Sequence, residues 1–256
     1  MNIRNIIIIV FSGLLLLGSQ ETSAQRQKVE NLPAYDLQPR RYGFILAMTQ
    51  MDFRIKPISN LNTKMFTDLQ AKDISADSAM LFGVTSDPAF GFSVGIVGIQ
   101  RLGTYFDLQL IPTLTFGERY LDYRILKFRK GEQELIEIRK NIPSTFVQFP
   151  LSVRYKSLRL NNFAAYIIGG VSYNLDLASQ AKKDSDQGQI QVKLYKHDLS
   201  MDIGFGFDFY FEWFKLGTEF KMSYGMFDML KKEDNIYTDG IESMKSKIFQ
   251  FSLTFE

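Results

Sequence analysis

The stretch 200–226 alternates strictly between apolar and polar residues, and this alternation constrains the fold more than any other feature of the chain. The first arm places Met201, Ile203, Phe205, Phe207 and Phe209 on one parity, and Asp202, Gly204, Gly206 and Asp208 on the other. After a tight reversal near Glu212 and Trp213, the second arm sets Leu216, Thr218, Phe220, Met222 and Tyr224 against Lys215, Gly217, Glu219, Lys221 and Ser223. Alternation with a period of two is the signal of a β-strand, so the stretch predicts a hairpin.

The reversal of this hairpin is rich in aromatic residues, namely Tyr210, Phe211, Trp213 and Phe214. Each arm has about 12 residues, which is enough for a tilted strand to cross a bilayer. Amphipathic aromatic residues at strand ends are what a membrane–water interface selects. The hairpin therefore predicts two strands of a transmembrane β-barrel, with the apolar parity facing lipid and the polar parity facing the lumen.

The same alternation recurs along the rest of the chain. The further predicted strands are 42–53, 89–101, 104–116, 145–155, 163–176 and 247–255. The later half of 42–53 is ambiguous, because Met51 and Phe53 fall on the parity opposite to Phe44, Leu46 and Met48. The third strand has a candidate continuation as a ribbon through Tyr120 and Tyr123.

The connections between these strands alternate in length. Four are long and polar, 54–88, 117–144, 177–198 and 227–246, and within the first of them 69–80 is a candidate short helix. The three between them are short turns. Outer-membrane barrels have short periplasmic turns and longer external loops. The sequence thus predicts an all-β fold, an eight-stranded antiparallel up-and-down transmembrane β-barrel with both termini periplasmic and four long external loops.

A soluble eight-stranded barrel with a ligand-binding interior shows similar alternation. It requires a polar exterior and an apolar interior, whereas the less apolar face here carries too many charges for such a ligand cavity. The chain also ends on an aromatic strand, as barrels recognised for outer-membrane insertion do, although Glu256 follows Phe255.

The N-terminus predicts export. Residues 1–24 have the form of a signal peptide, with Arg4, an apolar run over 6–17 and a cleavage site between Ala24 and Gln25. A short membrane anchor is the alternative, but the run is shorter than the roughly 20 residues of a spanning helix. Residues 25–41 contain Pro33 and Pro39 and predict an extended periplasmic segment before a barrel over 42–256.

Polar residues of the inward parity predict a structural network in the lumen. They are Asp107, Gln109, Gln148, Arg154, Asp202, Asp208, Lys215, Glu219 and Lys221. Eight strands leave an interior that side chains can fill. Because acids and bases are both present, they can pair and plug the lumen, and a narrow ion path is the alternative.

Residues with possible chemistry are few. The sole histidine, His197, precedes Asp198 and Ser200 and is a candidate for catalysis at the rim, while Asp184 and Asp186 are a candidate Ca²⁺ pair in a loop with neighbouring lysines. The chain has no cysteine, which excludes disulfides and thiolate metal sites, and its net charge of +2 gives no case for nucleic acid. No phosphate loop, zinc spacing or nucleotide fingerprint occurs. We therefore expect no enzyme activity, no cofactor and no small-molecule substrate.

Several runs resemble a known family more specifically than the alternation does. They are NLPAYD at 31–36, Pro39, YGFIL at 42–46, MDF at 51–53, GIQRLGTYFDL at 98–108, IPTLTFGER at 111–119, STF at 144–146, FP at 149–150, IGG at 168–170 and DLASQ at 176–180. These runs cover nearly the whole mature chain and resemble PorT proteins.

The PorT resemblance implies an outer-membrane barrel of Bacteroidota that the type IX secretion system and the linked gliding machinery require. It implies a non-enzymatic role in exporting proteins with C-terminal sorting domains, with outer-membrane lipid and other secretion subunits as partners. It brings no catalytic residues. The alternatives are an independent small barrel that binds a ligand or forms a minor pore, and a lipid-modifying enzyme at the rim.

Overall fold

Antiparallel strands form almost all of the regular structure. The computed structural model describes residues 29–61, 63–67, 74, 76–178, 192–233 and 235–256. The strands are β1 Arg40–Pro57, β2 Met65–Phe66, β3 Ser78–Asp87, β4 Ala89–Arg101, β5 Phe106–Leu110, β6 Thr113–Arg129, β7 Glu132–Lys156, β8 Phe163–Asp176, β9 His197–Tyr210, β10 Lys215–Gly225 and β11 Ile241–Phe255. A 3-10 helix spans Tyr35–Leu37, and helix α1 spans Ile236–Asp239. In the described part of the chain, no helix has the length and apolar character to cross a membrane.

The strand pairings close into a ring. Going around it, the order is β1, β11, β10, β9, β8, β7, then β5 with β6, then β4, and β4 pairs again with β1. β5 and β6 together fill one position, because both pair with β4 on one side and with β7 on the other. The ring lies within the compact unit Asn31–Glu256.

The predicted single strand 104–116 is wrong in one respect, since it divides at Pro112. Proline has no backbone N–H to give to a neighbouring strand, so the ladder is interrupted there. The carbonyl of Pro112 still accepts from the N–H of Ile96 at 3.1 Å, which keeps the two pieces in line. β4 and β8 have the predicted bounds, whereas β1, β7, β9 and β11 extend beyond them.

The ring has two different ends. The turns 102–105, 157–162 and 211–214 lie at one of them, together with Arg40 and Phe255, and we call it the short-turn end. At the opposite end, the long-connection end, three of the predicted long loops contain extensive regular structure, and the fourth, 177–198, contains the first two residues of β9. β6 and β7 continue to Arg129 and Glu132 as one ribbon, so 117–144 is not a loop. The ribbon through Tyr120 and Tyr123 was the alternative expectation for this stretch.

The predicted loop 54–88 also contains strands, because β3 pairs with β6 and β2 pairs with β3. The candidate helix over 69–80 is wrong for residues 78–80, which belong to β3, while 69–73 and 75 lie outside the described residues. The predicted loop 227–246 contains α1 and the start of β11. Helix α1 begins at Asn235, whose side chain accepts from the N–H groups of Tyr237 and Thr238 at 3.0 Å each.

These additions bury an apolar core at the long-connection end, which we call the cap. Its core residues are Phe53, Ile74, Ala79, Leu81, Val84, Leu121, Tyr123, Ile125, Ile142, Val192, Leu194, Leu230, Ile236, Tyr237, Ile241 and Met244. The rings of Tyr123 and Tyr237 meet edge to face, with centroids 5.0 Å apart. Burial raises the pKa of the Tyr123 hydroxyl above its ordinary value. The cap is therefore packed like the interior of a water-soluble domain.

The N-terminal segment 31–39 crosses the short-turn end. Asn31 donates its N–H to Oδ1 of Asn162 and its side-chain amide to the carbonyl of Tyr210, both at 2.9 Å. Arg159 donates to the carbonyls of Asn31 and Leu32. The prediction of an extended segment over 25–41 is wrong at Tyr35–Leu37, which form a 3-10 helix, whereas Arg40 and Arg41 are extended as the first residues of β1.

Candidate functional site

The lumen nearest the short-turn end holds a first cluster of charges around Asp107. Arg41 pairs with Asp107 and also contacts Oδ1 of Asp36 at 3.0 Å. The Lys156 ammonium lies 3.1 Å from Asp107 and 3.9 Å from Asp36. Tyr210 donates its hydroxyl to Asp36 at 2.8 Å. Asp36 comes from the N-terminal segment, so these contacts fasten that segment to the wall of the ring.

A second cluster lies beside it, around Asp208. Arg154 pairs with Asp208, and Oε1 of Glu256 lies 3.9 Å from the same guanidinium. The Lys215 ammonium is 2.7 Å from Oε2 of Glu256 and 3.5 Å from Asp208. Across the two clusters, four cations therefore meet four carboxylates. A buried charge is tolerated when it is paired in this way, and removing one partner is costly.

Aromatic faces complete this lower lumen. The Arg154 guanidinium lies 3.5 Å from the centroid of the Tyr166 ring, and the Tyr166 hydroxyl donates to Glu219 at 3.2 Å. Gly206 stands opposite this ring, where a Cβ would collide with Tyr166. A glycine is therefore needed at position 206 for the ring to lie across the lumen.

Farther from the short-turn end, hydrogen bonds between uncharged side chains cross five neighbouring strands. Ser93 bonds Thr115 at 2.7 Å, and Thr115 donates to Gln148 at 2.8 Å. Gln148 donates to Asn174 at 3.1 Å, and Asn174 donates to Ser200 at 2.9 Å. This row ties β4, β6, β7, β8 and β9 together through their inward faces. Alongside it, Ser172 donates to Asp202.

Arg119 closes the lumen beneath the cap and is fully buried. Its guanidinium lies 4.0 Å from the centroid of Phe53, donates to Ser144 at 2.8 Å and reaches Asp176 at 3.6 Å. Arg119 thus joins the polar lumen to the apolar cap.

All nine residues of the predicted lumen network are buried inside the ring, namely Asp107, Gln109, Gln148, Arg154, Asp202, Asp208, Lys215, Glu219 and Lys221. They do not form one network. Asp107 belongs to the first cluster, and Arg154, Asp208 and Lys215 belong to the second. Glu219 contacts the second cluster only through the Tyr166 hydroxyl. Gln148 lies in the row of hydrogen bonds. Lys221 lies 4.0 Å from Asp202, so that these two residues form a separate pair.

Sequence reasoning missed seven charged members of the lumen among the described residues: Asp36, Arg41, Arg119, Lys156, Asp176, Asp198 and Glu256. Arg41, Lys156 and Glu256 lie just outside the predicted strands, and Arg119 and Asp198 lie in predicted loops. Asp36 lies in the segment predicted to be extended. Counting the inward parity through the strand ends would have found all of them except Asp36.

The candidate rim residues are not brought together. His197 faces outward and meets the Tyr173 hydroxyl through Nδ1 at 2.6 Å, while Asp198 and Ser200 face the lumen and are buried. Asp184 and Asp186, like the cleavage site at Ala24 and Gln25, lie outside the described residues. Within the part of the chain that is described, no group of three His, Asp or Glu side chains could hold a metal ion.

Comparison with known proteins identifies the fold family. The profile of the family described as "Outer membrane protein beta-barrel domain" matches residues 24–231. The crystal structure of the outer membrane protein OprG from Pseudomonas aeruginosa is similar, with a TM-score of 0.40 and 12% sequence identity over 84% of this chain and 95% of that chain. No curated protein matches the sequence.

Proposed function

The chain belongs to the outer membrane protein beta-barrel domain family, and on that premise we propose that it is a non-enzymatic barrel that supports type IX protein secretion. The short-turn end and both termini face the periplasm, and the cap faces the exterior. The PorT-like runs, such as GIQRLGTYFDL at 98–108, support the secretion role. The partners are outer-membrane lipid and other subunits of the secretion apparatus.

The filled lumen is the observation that carries this proposal. Paired charges occupy its lower part, the segment 31–39 crosses one end, and the apolar cap covers the other. An exported polypeptide has no path through such an interior. The barrel therefore acts through its surfaces, and the cap and the N-terminal segment are its contacts with other subunits.

Deletion of the protein tests the secretion role. Precursors with C-terminal sorting domains should accumulate in the periplasm of the deletion strain, while unrelated outer-membrane proteins assemble at normal levels. Re-expression of the full chain should restore export. Normal export in the deletion strain would reject the proposal.

Planar-bilayer recordings test the alternative of a minor pore. The purified barrel should give no steady single-channel conductance, because the ion pairs around Asp107 and Asp208 fill the lower lumen. A steady conductance that responds to Arg154→Met would favour a pore instead.

A further inference from the structure

Three basic side chains gather on the outward face of the ring near the long-connection end. Arg54 of β1 stands directly opposite Lys245 of β11, and Lys247 lies two residues farther along the same face. Residues opposite each other on antiparallel strands have Cβ atoms about 4.5–5.5 Å apart, and like charges in that position repel. The three cations therefore lie within roughly 7 Å of one another along the strand. We call Arg54, Lys245 and Lys247 the basic patch.

No carboxylate among the described residues forms an ion pair with the basic patch. Asp52 stands opposite Lys247, but its Oδ1 accepts from the N–H of Phe53 at 2.7 Å. Two other outward cations are engaged: Lys56 pairs with Glu242 at 2.6 Å, and Arg40 at the short-turn end donates to Gln100 at 3.3 Å. The three cations are thus opposed by one neighbouring carboxylate, that of Asp52, with which none of them forms an ion pair.

The wall of the ring directly below the basic patch is apolar. A wide groove runs along the wall from β4 through β1, β11, β10, β9 and β8 to β7, and its part nearest the patch is lined by Met48, Met222, Tyr224, Phe249 and Phe251. Arg54 lies 6.0 Å from the Tyr224 ring centroid, and Lys247 lies 4.8 Å from that of Phe249. Cations therefore border an apolar groove on the surface that faces lipid in a barrel of this family. This is the arrangement that an anionic lipid with an acyl chain requires.

From this geometry we propose that the basic patch and the groove bind a phosphate-bearing glycolipid of the outer leaflet. Arg54, Lys245 and Lys247 hold the phosphate, because charge-assisted hydrogen bonds to phosphate are short and strong. The groove at Met222 and Phe249 holds an acyl chain. The assignment to the outer leaflet rests on the orientation proposed above, with the long-connection end external.

Binding of purified lipid A to the detergent-solubilised mature barrel tests the proposal. The triple variant Arg54→Gln, Lys245→Gln, Lys247→Gln should bind bisphosphorylated lipid A at least 50-fold more weakly, since each cation near an anionic surface contributes roughly fivefold. Arg40→Gln removes an outward cation at the opposite end and should change the affinity less than twofold. Equal affinity of the triple variant and the wild type would overturn the proposal.

Further comparisons identify what is recognised. Dephosphorylated lipid A of the same acylation should bind the wild type and the triple variant equally weakly. Millimolar inorganic phosphate or an acidic peptide that displaces lipid A completely would overturn the assignment to a lipid. If the triple variant fails to fold, Asp52→Asn is the alternative test. This variant removes the one carboxylate beside the basic patch, so it should bind lipid A more tightly. Weaker binding would contradict the proposal.

These results are independent of the proposed secretion role. Lipid binding in detergent does not need the secretion apparatus. Normal export in a deletion strain would therefore reject the secretion role without contradicting the glycolipid site. Conversely, a triple variant that no longer binds lipid A but still restores export would show that secretion does not depend on the glycolipid site.

A labelling experiment in intact cells tests the site in the membrane. Lys245 should be protected from a membrane-impermeant amine reagent, and this protection should be lost when phosphorylated lipid A is absent.

Discussion

The lower lumen around Arg154 and the cap around Tyr237 are both buried interiors, yet they are built from opposite residue types. Arg154, Lys215 and Asp208 are at most 2% exposed in the first, and Leu81, Tyr123 and Tyr237 are fully buried in the second. The outer wall of a barrel in lipid must be apolar, so its polar residues turn inward. The cap projects beyond that wall and buries its apolar residues as a soluble domain does. The ring interior also holds two small apolar clusters, Ile45 with Val97, Ile99 and Ile111, and Met51 with Phe146 and Ile248, so the contrast is sharpest between the charges around Arg154 and the cap.

Individual strands run from the ring into the cap, and along them the apolar residues change from the outward face to the inward face. On β6, Leu114 and Phe116 face outward, but farther along the strand Leu121 and Tyr123 face inward and are buried. On β1, the outward residue changes from Met48 to Arg54, and the inward Phe53 is buried. The inversion near these positions locates the boundary between the wall that faces lipid and the part in water.

The largest expected effect is in the lower lumen. Arg154→Met removes a cation that pairs with Asp208 and contacts Tyr166. Breaking a buried ion pair by removing one partner costs about 3–5 kcal/mol. Urea unfolding in lipid vesicles measures this loss. Adding Asp208→Asn should restore part of it, and unchanged stability of the single variant would mean that these charges are not buried together.

A similar loss, confined to the cap, is expected for Leu81→Ala. Leu81 is fully buried, and truncating a buried leucine costs about 2–5 kcal/mol. Hydrogen exchange should show faster exchange in β3 and α1 with no change in β9 and β10, because no core residue of the cap belongs to β9 or β10. Phe82→Ala changes the 47% exposed neighbour and is the control. Equal loosening of β9 would contradict two separate interiors.

The outer wall should show a contrast between its two parts. Phe205→Arg places a cation on the face toward lipid and should cost about 2–4 kcal/mol near the midplane. Leu135→Arg makes the same kind of change at a 56% exposed position of the β6–β7 ribbon, and it should cost less than about 0.5 kcal/mol. Unfolding in lipid vesicles measures both. Equal costs would place both residues in the same environment.

Apart from the Leu135→Arg control, the smallest loss of stability is expected for the row of hydrogen bonds. Gln148→Ala removes the bonds to Thr115 and Asn174 and should cost about 1–2 kcal/mol. The same unfolding assay applies. A cost as large as that of Arg154→Met would mean that the row, and not the charge clusters, holds the lumen together.

The sequence predicted those strands that lie in a single environment along their whole length, with lipid outside and the polar lumen inside. Both arms of 200–226 lie in the ring, and the residues of the inward parity from Asp202 to Lys221 are buried, except for the half-buried Gly204. Met51 and Phe53 gave the one sign of a second environment, because their parity conflicts with that of Phe44. That conflict marks the position where the apolar residues change from the outward to the inward face. A strand prediction that requires all apolar residues to share one parity therefore ends the strand at this position.

The cap and the lower clusters could not be predicted because long-range pairing creates them. Nothing local in the 54–88 stretch indicates that Leu81 lies beside Ile125 of β6. Asp36 meets Lys156 only when the segment before β1 folds back across the ring. Parity alone also cannot show which inward residues join the two charge clusters, the row or the pair, since that division depends on register.

The face inversion along β1 is the central claim, and the cysteine-free chain allows a direct measurement of it. Single cysteines at positions 44–56, labelled with a fluorophore in lipid vesicles, can be quenched from lipid or from water. Positions 44, 46 and 48 should be quenched from lipid, positions 54 and 56 from water, and positions 45, 47, 49, 51 and 53 from neither. Quenching of 54 and 56 from lipid, or of 45 and 47 from water, would contradict the account.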